Sequence, residues 1–368
     1  MRLFIVTVAL ACGFGRAQTP SALPVDIQIP VAPRSFASKG QVNYVYEIYL
    51  TNFDRRGRTL TLSSVQVLGD EGKQLTTFSG EQLAKGLMQP GLIEGADVRQ
   101  LGAGRRAVFF VWLAMAESEP RPASLRHRFE ITIEGVAGDN HVECCQTAVP
   151  RDAPLVIGPP LRGGGWLAGN GPSNSSEHRR ALVTVDGRAY LAQRFAIDWI
   201  QFGKNGELGL GKGAENRDYF AYGAEVLAVA AGRVCGIKDG IPENKPESLA
   251  VPITLETIAG NNLCLELGGG RYAHYAHLQP GSFRVKIGDR VKPGQVLALL
   301  GNSGNSDAPH LHFQITDGPN TMASEGIPYL LPSFVEEGEG KDFKFTPASV
   351  PTTWRNQLPV DGMVVRFP

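Results

Sequence analysis

Apolar and polar residues alternate in short runs along most of this chain, which is the pattern of half-buried β-strands. In NYVYEIYLTNF, residues 43–53, apolar and aromatic side chains recur at every second position. The segments RRAVFFVWLAM and HRFEITIEG continue the pattern, and polar turns such as DRRG and LGDEGK separate the strands. We therefore predict that 24–150 forms an immunoglobulin-like β-sandwich domain.

A segment without periodicity, 151–180, interrupts this pattern. Trp166 follows three glycines there, and the polar run NGPSNSS leads to His178. Because plain linkers rarely carry a lone tryptophan, we expect this connecting segment to pack on the domain that follows. Strands such as VLAVAAGRVCGI, NLCLEL and QVLALLG resume over 181–335. The remainder, 336–368, is mostly polar and poorly patterned and is predicted to be a C-terminal tail.

The first residues, 1–17, have the features of a secretory signal peptide. One arginine precedes a short apolar run, and a small-x-small cleavage site, GRA, follows it. The run is too short to cross a bilayer roughly 30 Å thick, and no later stretch has the apolar length of a membrane-spanning helix. We therefore expect a secreted or periplasmic protein without a transmembrane helix. A lipoprotein attached through Cys12 is the alternative.

Composition and charge narrow the class of protein further. A length of 368 residues is enough for two domains, and 44 glycines with 25 prolines fit many short strands joined by turns. The 36 basic residues balance the 36 acidic ones, so no field of one sign recruits nucleic acid or an anionic membrane. The fold class is therefore predicted to be mainly β, without a nucleic-acid partner.

Four cysteines remain beyond the predicted signal peptide, and none has the CxxC spacing of a thiolate zinc site. Cys144 and Cys145 are adjacent and are not expected to bridge each other easily. Cys235 and Cys264 lie in two predicted strands of the second domain. Two interpretations stay open for them: a disulfide, which an oxidising compartment would permit, and two buried free thiols.

Histidines cluster in two segments of the second domain, RYAHYAHL and HLHFQI. The period of a strand sends His310 and His312 to one face, while the apolar residues between and after them face the core. Two neutral imidazoles side by side on a rigid strand suit zinc. His277 and His274 point to opposite faces of their strand, so only one of them is expected to share a site with the HxH pair. Asp198 closes the apolar run in RFAIDW and needs a partner, since aspartate is depleted in strands.

Together with this upstream aspartate, YGAEVLAVAAGRV, GGGRYAHYAHL and VKIGDRVKPGQVLALLGNSGNSDAPHLHFQI resemble the lysostaphin-type (LytM-like) zinc metallopeptidases, which cut peptide bonds in bacterial cell walls. The resemblance covers roughly 160 to 335. It implies an all-β peptidase domain with an open groove on an antiparallel sheet. It also implies a zinc ion as cofactor and a peptidoglycan peptide as substrate, cut in a stem peptide or a cross-bridge.

The resemblance also assigns roles to individual residues. The family holds zinc with the His and Asp of an HxxxD motif and with the second His of HxH. Asp198 and His312 are therefore expected to be zinc ligands, while His310 and His277 would flank the catalytic water and the developing oxyanion. Imidazoles suit this work, because a pKa of about 6.5 lets them take up a proton and return it.

The loop GNSGNS precedes the HxH strand and is expected to aim it at the groove. Glycines allow close backbone approach and positive φ, while Asn and Ser bond their own backbone. This site-shaping role is assigned to Gly301, Asn302, Ser303 and Gly304.

One position departs from the family pattern. Arg194 stands four residues before Asp198, where the family has its first ligand histidine. A guanidinium stays protonated and cannot offer a lone pair to zinc, so the expected site lacks one ligand.

Two hypotheses follow from this departure. In the first, His178 completes the metal site, because it is the only histidine between 141 and 274 and its segment is expected to fold against the domain. An ordinary surface histidine is the alternative for this residue. In the second, Arg194 pairs with Asp198, the site holds no zinc, and the groove binds cell-wall peptide or a partner without cutting.

A third class, the biotin- or lipoyl-carrying domain, is disfavoured. VKIGDRVKPGQVLALLG is similar to the hairpin of such carriers, but no acceptor lysine follows it at the turn. The retained histidines and aspartate favour activity. We therefore predict a secreted zinc metalloendopeptidase acting on peptidoglycan, with a non-catalytic binding protein as the alternative.

Overall fold

The structure is a computed structural model that describes residues 23–138, 140–211 and 213–368. The predicted signal peptide, 1–17, and Cys12 lie outside the described residues. Strands make up most of the regular structure, so the predicted fold class, mainly β, is confirmed. Within the described ranges, no helix is long and apolar enough to cross a membrane.

Ten strands form two five-stranded sheets in the N-terminal region. In chain order they are β1 (Val25–Gln28), β2 (Arg34–Ser38), β3 (Gln41–Asn52), β4 (Leu60–Leu68), β5 (Gln74–Ser79), β6 (Leu87–Met88), β7 (Gln100–Leu101), β8 (Arg106–Ala116), β9 (Ser124–Ile133) and β10 (Asn140–Ala148). One sheet has the order β1-β3-β8-β6, with β2 also paired to β3, and the other has the order β10-β9-β4-β5, with β7 also paired to β4. A 3-10 turn (Asp70–Gly72) and helix α1 (Gly80–Gly86) complete the region.

Strand β3 is buried on both faces, and this explains how the two halves of the chain pack. Tyr44, Tyr46 and Ile48 join a hydrophobic cluster to which strands of both N-terminal sheets contribute. Val45, on the opposite face, joins the core of the C-terminal region instead, together with Phe36 of β2. The N-terminal region therefore has a two-sheet core of its own and one sheet face covered by the rest of the chain. Its assignment to the immunoglobulin-like type stays a prediction.

An eleven-stranded sheet dominates the C-terminal region. Its strands are β11 (Leu155–Val156), β12 (Trp166–Gly169), β15 (Ile197–Gln201), β17 (Gly232–Lys238), β18 (Asn261–Gly268), β19 (Arg271–Leu278), β20 (Arg290–Val291), β22 (Leu311–Thr316), β23 (Tyr329–Lys341), β24 (Lys344–Gln357) and β25 (Met363–Arg366). Their order is β11-β23-β25-β12-β15-β22-β19-β18-β17-β20, with β24 also paired to β23.

Smaller elements flank this sheet. They are helix α2 (Glu177–Arg180), the hairpin of β13 (Val183–Val185) and β14 (Arg188–Tyr190), a 3-10 turn (Asn216–Asp218), and the pair of β16 (Glu225–Leu227) and β21 (Val296–Leu299).

The expectation of an unpatterned C-terminal tail, 336–368, is wrong. Strands β23 and β24 form a long hairpin, and β25 lies between β23 and β12 inside the sheet. Most residues of β24 are exposed, so they carry no apolar alternation by which a strand could be recognised. The connecting segment likewise enters the sheet through β11 and β12, where Trp166 is buried in the core. The other domain limits stay predictions.

The cysteines resolve one open alternative. Cys235 and Cys264 form a disulfide between β17 and β18, with Cα atoms 5.4 Å apart. Cys144 and Cys145 are not bonded, yet their Sγ atoms lie 2.6 Å apart. Adjacent residues of a regular strand point to opposite faces, but the β9–β10 ladder is irregular here and Cys145 has a φ of 59°.

Candidate metal centre

Three neighbouring strands carry most of the predicted site residues. Strand β22 lies between β15 and β19, and its ladder places Asp198 directly opposite His312. Leu311 and Phe313 are fully buried in the hydrophobic core, whereas His312 faces a groove. The alternation expected for HLHFQI is therefore present, and it aims the HxH pair away from the core.

His277 faces the same groove because its backbone departs from regular strand geometry. Its neighbour Tyr275 lies in the hydrophobic core, so regular alternation along β19 would also point His277 inward. Instead His277 has a φ of 63°, which is uncommon for a residue other than glycine, and its ring centroid lies 4.7 Å from that of His310. His274 is buried beside Thr316, with its Nε2 2.8 Å from Thr316 Oγ1. Strand periodicity alone could not have chosen between these two histidines.

Asp198 is the centre of the cluster. Its Oδ1 lies 2.9 Å from His312 Nδ1 and 3.5 Å from His310 Nε2, and its Oδ2 lies 3.4 Å from His178 Nε2. The Asn170 amide donates a hydrogen bond of 3.1 Å to Oδ2. Burial raises the pKa of this carboxyl group, but the surrounding imidazoles hold the pKa well below its usual range. Asp198 is therefore a carboxylate.

His178 is a buried member of the cluster, so the alternative of an ordinary surface histidine is wrong. Its residue is 9% exposed, and its ring stands perpendicular to that of His312 with centroids 4.7 Å apart. The carbonyl oxygen of Asn170, 2.9 Å away, can only accept, so Nδ1 of His178 carries the proton. Burial lowers the pKa of His178 to about 4, and its Nε2 therefore points a lone pair toward Asp198 at neutral pH.

His312 approaches the same carboxylate through its Nδ1 atom. The amide nitrogen of Gln314 donates to the Thr321 carbonyl at 2.8 Å, which turns its Oε1 toward His312. His312 Nε2 lies 2.9 Å from this oxygen and donates to it, so Nδ1 is the ring nitrogen that faces the carboxylate. That Nδ1 lies 2.9 Å from Asp198 Oδ1. A proton or a metal ion can lie between these two atoms.

These tautomers define a possible metal site. In the described part of the chain, His178, Asp198 and His312 offer potential ligand atoms that all lie within 4.8 Å of one another. Two neutral imidazoles and one carboxylate are a donor set that zinc takes in catalytic sites. The backbone and amide groups that fix the two imidazoles are the outer hydrogen bonds typical of metal ligands. The residues present therefore fit a zinc ion.

Arg194 takes no part in this cluster. Its guanidinium binds both carboxylate oxygens of Glu47, with distances of 3.0 Å from Nε and 2.8 Å from Nη2. It also donates to Glu325 at 2.8 Å and to the Gly326 carbonyl at 2.9 Å. The pairing with Asp198 that the second hypothesis assumed is therefore wrong.

The loop before β22 is held tightly. The Ser303 carbonyl accepts the Nδ1 proton of His277 at 2.7 Å, and the Ser303 hydroxyl donates to the Leu278 carbonyl at 2.9 Å. Asn302 is buried, and its Oδ1 accepts from the Ser306 hydroxyl at 2.7 Å. A methyl group could not be accommodated at the two glycines of the loop, because a Cβ would lie 2.6 Å from backbone at Gly301 and 2.3 Å from backbone at Gly304.

The cluster opens into a cavity of about 900 Å³. Apolar side chains form part of its wall, and an exposed phenylalanine from the turn between β23 and β24 contributes to it. These apolar residues include Ile200, Leu208, Met322 and Phe343. The C-terminal hairpin that was expected to be a tail is thus part of the groove.

Two contributors were not predicted from the sequence. Asn170 contacts both His178 and Asp198, and its φ of 47° lies in the left-handed region that asparagine tolerates. Its signal was the GNG triplet in the glycine-rich connecting segment. Glu47 was not singled out, because it is a single charged residue between Tyr46 and Ile48 in a segment that was recognised only as a strand.

The cluster of imidazoles and a carboxylate thus lies in a groove of a mainly β domain. Residues 217–323 match peptidase family M23. This segment is therefore similar to that family, and the predicted resemblance to lysostaphin-type peptidases is confirmed. The matched range includes His277, His310 and His312, whereas His178 and Asp198 precede it.

Known relatives resemble a limited part of the chain. The glycyl-glycine endopeptidase ALE-1 of Staphylococcus capitis is 45% identical over 74 residues, which are 19% of this chain and 20% of that protein. Lysostaphin of Staphylococcus simulans is 40% identical over 74 residues, covering 19% of this chain and 15% of lysostaphin. The solved catalytic domain of lysostaphin from Staphylococcus simulans has 26% identity over 30% of this chain and 76% of that chain, with a TM-score of 0.19. The chain thus spans about a fifth or less of its curated relatives.

Proposed function

We propose that this protein is a zinc-dependent metalloendopeptidase that hydrolyses peptide bonds in bacterial peptidoglycan, in stem peptides or in cross-bridges. The observation that carries the proposal is the convergence of His178 Nε2 and His312 Nδ1 on the carboxylate of Asp198. The peptidoglycan substrate is supported by the relationship to lysostaphin and to a glycyl-glycine endopeptidase.

In this proposal His178, Asp198 and His312 are the three protein ligands, and His178 takes the role that the family gives to the first histidine of HxxxD. When bound, zinc supplies Lewis-acid polarisation of the scissile carbonyl and lowers the pKa of water toward about 7. In this proposal Arg194 does not bind the metal, unlike the histidine that the family has at this position. Its guanidinium forms salt bridges with Glu47 and Glu325 instead.

His310 and His277 are proposed to move protons at their Nε2 atoms. The Nδ1 proton of His310 is donated to the Ala308 carbonyl at 2.8 Å, and that of His277 to the Ser303 carbonyl at 2.7 Å. Both rings therefore keep Nε2 free of backbone partners, and their centroids are 4.7 Å apart. One ring can accept the proton of the attacking water, while the other donates to the developing oxyanion or to the leaving amine.

The groove suits a polymeric peptide substrate. A cavity of about 900 Å³ is at the large end of ordinary small-molecule sites, and apolar and polar side chains share its lining. We propose that the protein acts outside the cytoplasm. The disulfide between Cys235 and Cys264 supports this location, because disulfides persist in oxidising compartments. The non-catalytic alternative assumed a pair between Arg194 and Asp198, but Arg194 is paired with Glu47 and Glu325 instead.

Metal content and peptide hydrolysis measured on the same samples test this function. Wild-type protein should hold about one zinc per chain and release new amino groups from purified peptidoglycan. Asp198→Ala should lose both properties, and His310→Ala should retain zinc but lose hydrolysis. His274→Gln is the matched control, because His274 is a buried histidine of the same sheet outside the ligand group. Zinc-loaded wild type that cuts no peptidoglycan peptide would contradict the proposed activity.

A further inference from the structure

We propose that Glu47, in the N-terminal sheet, is a positioning residue of the metal centre. Its carboxylate binds Arg179 and Arg194, and these arginines stand one residue after His178 and four residues before Asp198. The inference rests on the proposed function, because it concerns how two of the proposed zinc ligands are held.

Glu47 lies on the face of β3 that packs against the C-terminal region. It is 1% exposed and shares this face with Val45, which belongs to the C-terminal core. A buried carboxylate is costly unless cations and hydrogen bonds compensate it. Here Arg194 binds it through two nitrogen atoms, and Nη1 of Arg179 contacts Oε1. One carboxylate of the N-terminal sheet thus holds two arginines of the C-terminal region.

Arg179 ties helix α2 to the N-terminal sheet. Its Nη2 lies 3.1 Å from the Tyr46 carbonyl, and its guanidinium stacks over Phe110 at 4.8 Å from the ring centroid. The guanidinium of Arg180 lies over the same ring, 5.0 Å from its centroid. Consecutive side chains of a helix point in different directions, so these anchors leave His178 directed toward the groove.

Helix α2 depends on such anchors, because its four residues are too few to form a stable helix alone. No β-ladder holds His178 in place, and its contacts in the cluster are to Asn170, Asp198 and His312. Asp198 is held more firmly, since β15 pairs with both β12 and β22. Loss of the Glu47 carboxylate is therefore expected to displace His178 more than Asp198.

Zinc affinity and the visible absorption of bound cobalt test this inference in the full chain. The variants are Glu47→Gln, which removes the charge, and the control Val45→Ala, which loosens the same face of the same strand and removes no hydrogen-bond partner of either arginine. Metal-free samples are titrated with zinc against a chromophoric chelator, and their melting temperatures are recorded. Glu47→Gln should bind zinc about tenfold more weakly or worse and show an altered cobalt spectrum. Val45→Ala should melt earlier yet keep the wild-type affinity and spectrum.

A second variant covers the case in which Glu47→Gln does not fold, since two arginines then lose a buried partner. Arg179→Met releases the α2 anchor, leaves Glu47 paired with Arg194, and lets an apolar side chain lie on Phe110. It should weaken zinc binding in the same way.

Each outcome decides one question. A folded Glu47→Gln with wild-type affinity and spectrum overturns the inference, and so does wild-type affinity in Arg179→Met if only that variant folds. In both cases the zinc site of the wild type stands. A wild type that binds neither zinc nor cobalt rejects the proposed function and the inference together.

Discussion

Replacing His178 with alanine tests the least expected ligand of the proposed site. The substitution removes the Nε2 atom that lies 3.4 Å from Asp198 Oδ2 and leaves His312 as the only imidazole of the ligand group. Catalytic zinc sites normally use three protein ligands, so a site with two should bind the metal much more weakly. The cluster also loses the ring contact between His178 and His312, whose centroids are 4.7 Å apart.

The expected effect can be expressed as a thermal shift. Free zinc at 1,000 times its dissociation constant stabilises the folded state by about 4 kcal/mol, which raises the melting temperature of a region of this size by roughly 8–16 °C. If the loss of one ligand weakens binding about 100-fold, the same zinc concentration stabilises the variant by about 1.4 kcal/mol, or roughly 3–6 °C.

Differential scanning fluorimetry with and without zinc, after treatment with a chelator, measures both shifts. His274→Gln, which leaves the ligand group intact, should keep the full wild-type shift. An equal zinc-induced shift in wild type and His178→Ala would refute the assignment of His178 as a ligand.

Three further predictions concern the framework. Burial lowers the pKa of His127 to about 4, so on acidification the unfolded chain takes up the imidazole proton at a higher pH than the folded chain does. The free energy of unfolding should therefore fall by about 2 kcal/mol from pH 7 to pH 5. Denaturant titrations of His127→Phe at both pH values should lack this decrease. Replacing both Cys235 and Cys264 with serine should lower the free energy of unfolding by about 3–4 kcal/mol, because the disulfide closes a loop with a sequence separation of 29. An unchanged midpoint of reversible denaturation would contradict this. Gly304→Ala should lower peptidoglycan hydrolysis at least tenfold, while circular dichroism shows a folded chain. The reason is that the new Cβ would collide with the backbone of Gly260 and disturb the loop that holds His277. Full activity of this variant would show that the loop does not position the His277 ring.

Local patterns predicted the parts of the fold that have one buried and one exposed face. The HxH strand was placed correctly because Leu311 and Phe313 fill the core while the histidines alternate with them. The C-terminal hairpin escaped prediction because β24 is exposed over most of its length and buries no periodic apolar face. Periodicity reports burial, so it does not detect a strand that is held mainly by backbone hydrogen bonds to its neighbour.

The candidate site was predictable where it follows from strand geometry or motif, and not where the backbone departs from regularity. His277 turns to the groove through a φ of 63°, which no alternation rule contains. Cys145 likewise has a positive φ, and its sulfur lies beside that of Cys144 although adjacent residues of a regular strand point to opposite faces. In both cases surrounding contacts hold a backbone conformation that local sequence alone would not favour.

The role of Arg194 was hidden by distance along the chain. Read locally, an arginine four residues before an aspartate invites the assumption that the two side chains pair. The structure instead pairs Arg194 with Glu47, separated from it by 147 residues, and a buried arginine would be destabilising without such a carboxylate. Arg194, which departs from the family motif, and Glu47, the charge buried in β3, therefore form one ion pair. If His178 supplies the third zinc ligand, both that ligand and the arginine in the usual ligand position are held by the same residue of the N-terminal sheet. The N-terminal region then belongs to the architecture of the metal centre, although the family match begins only at residue 217.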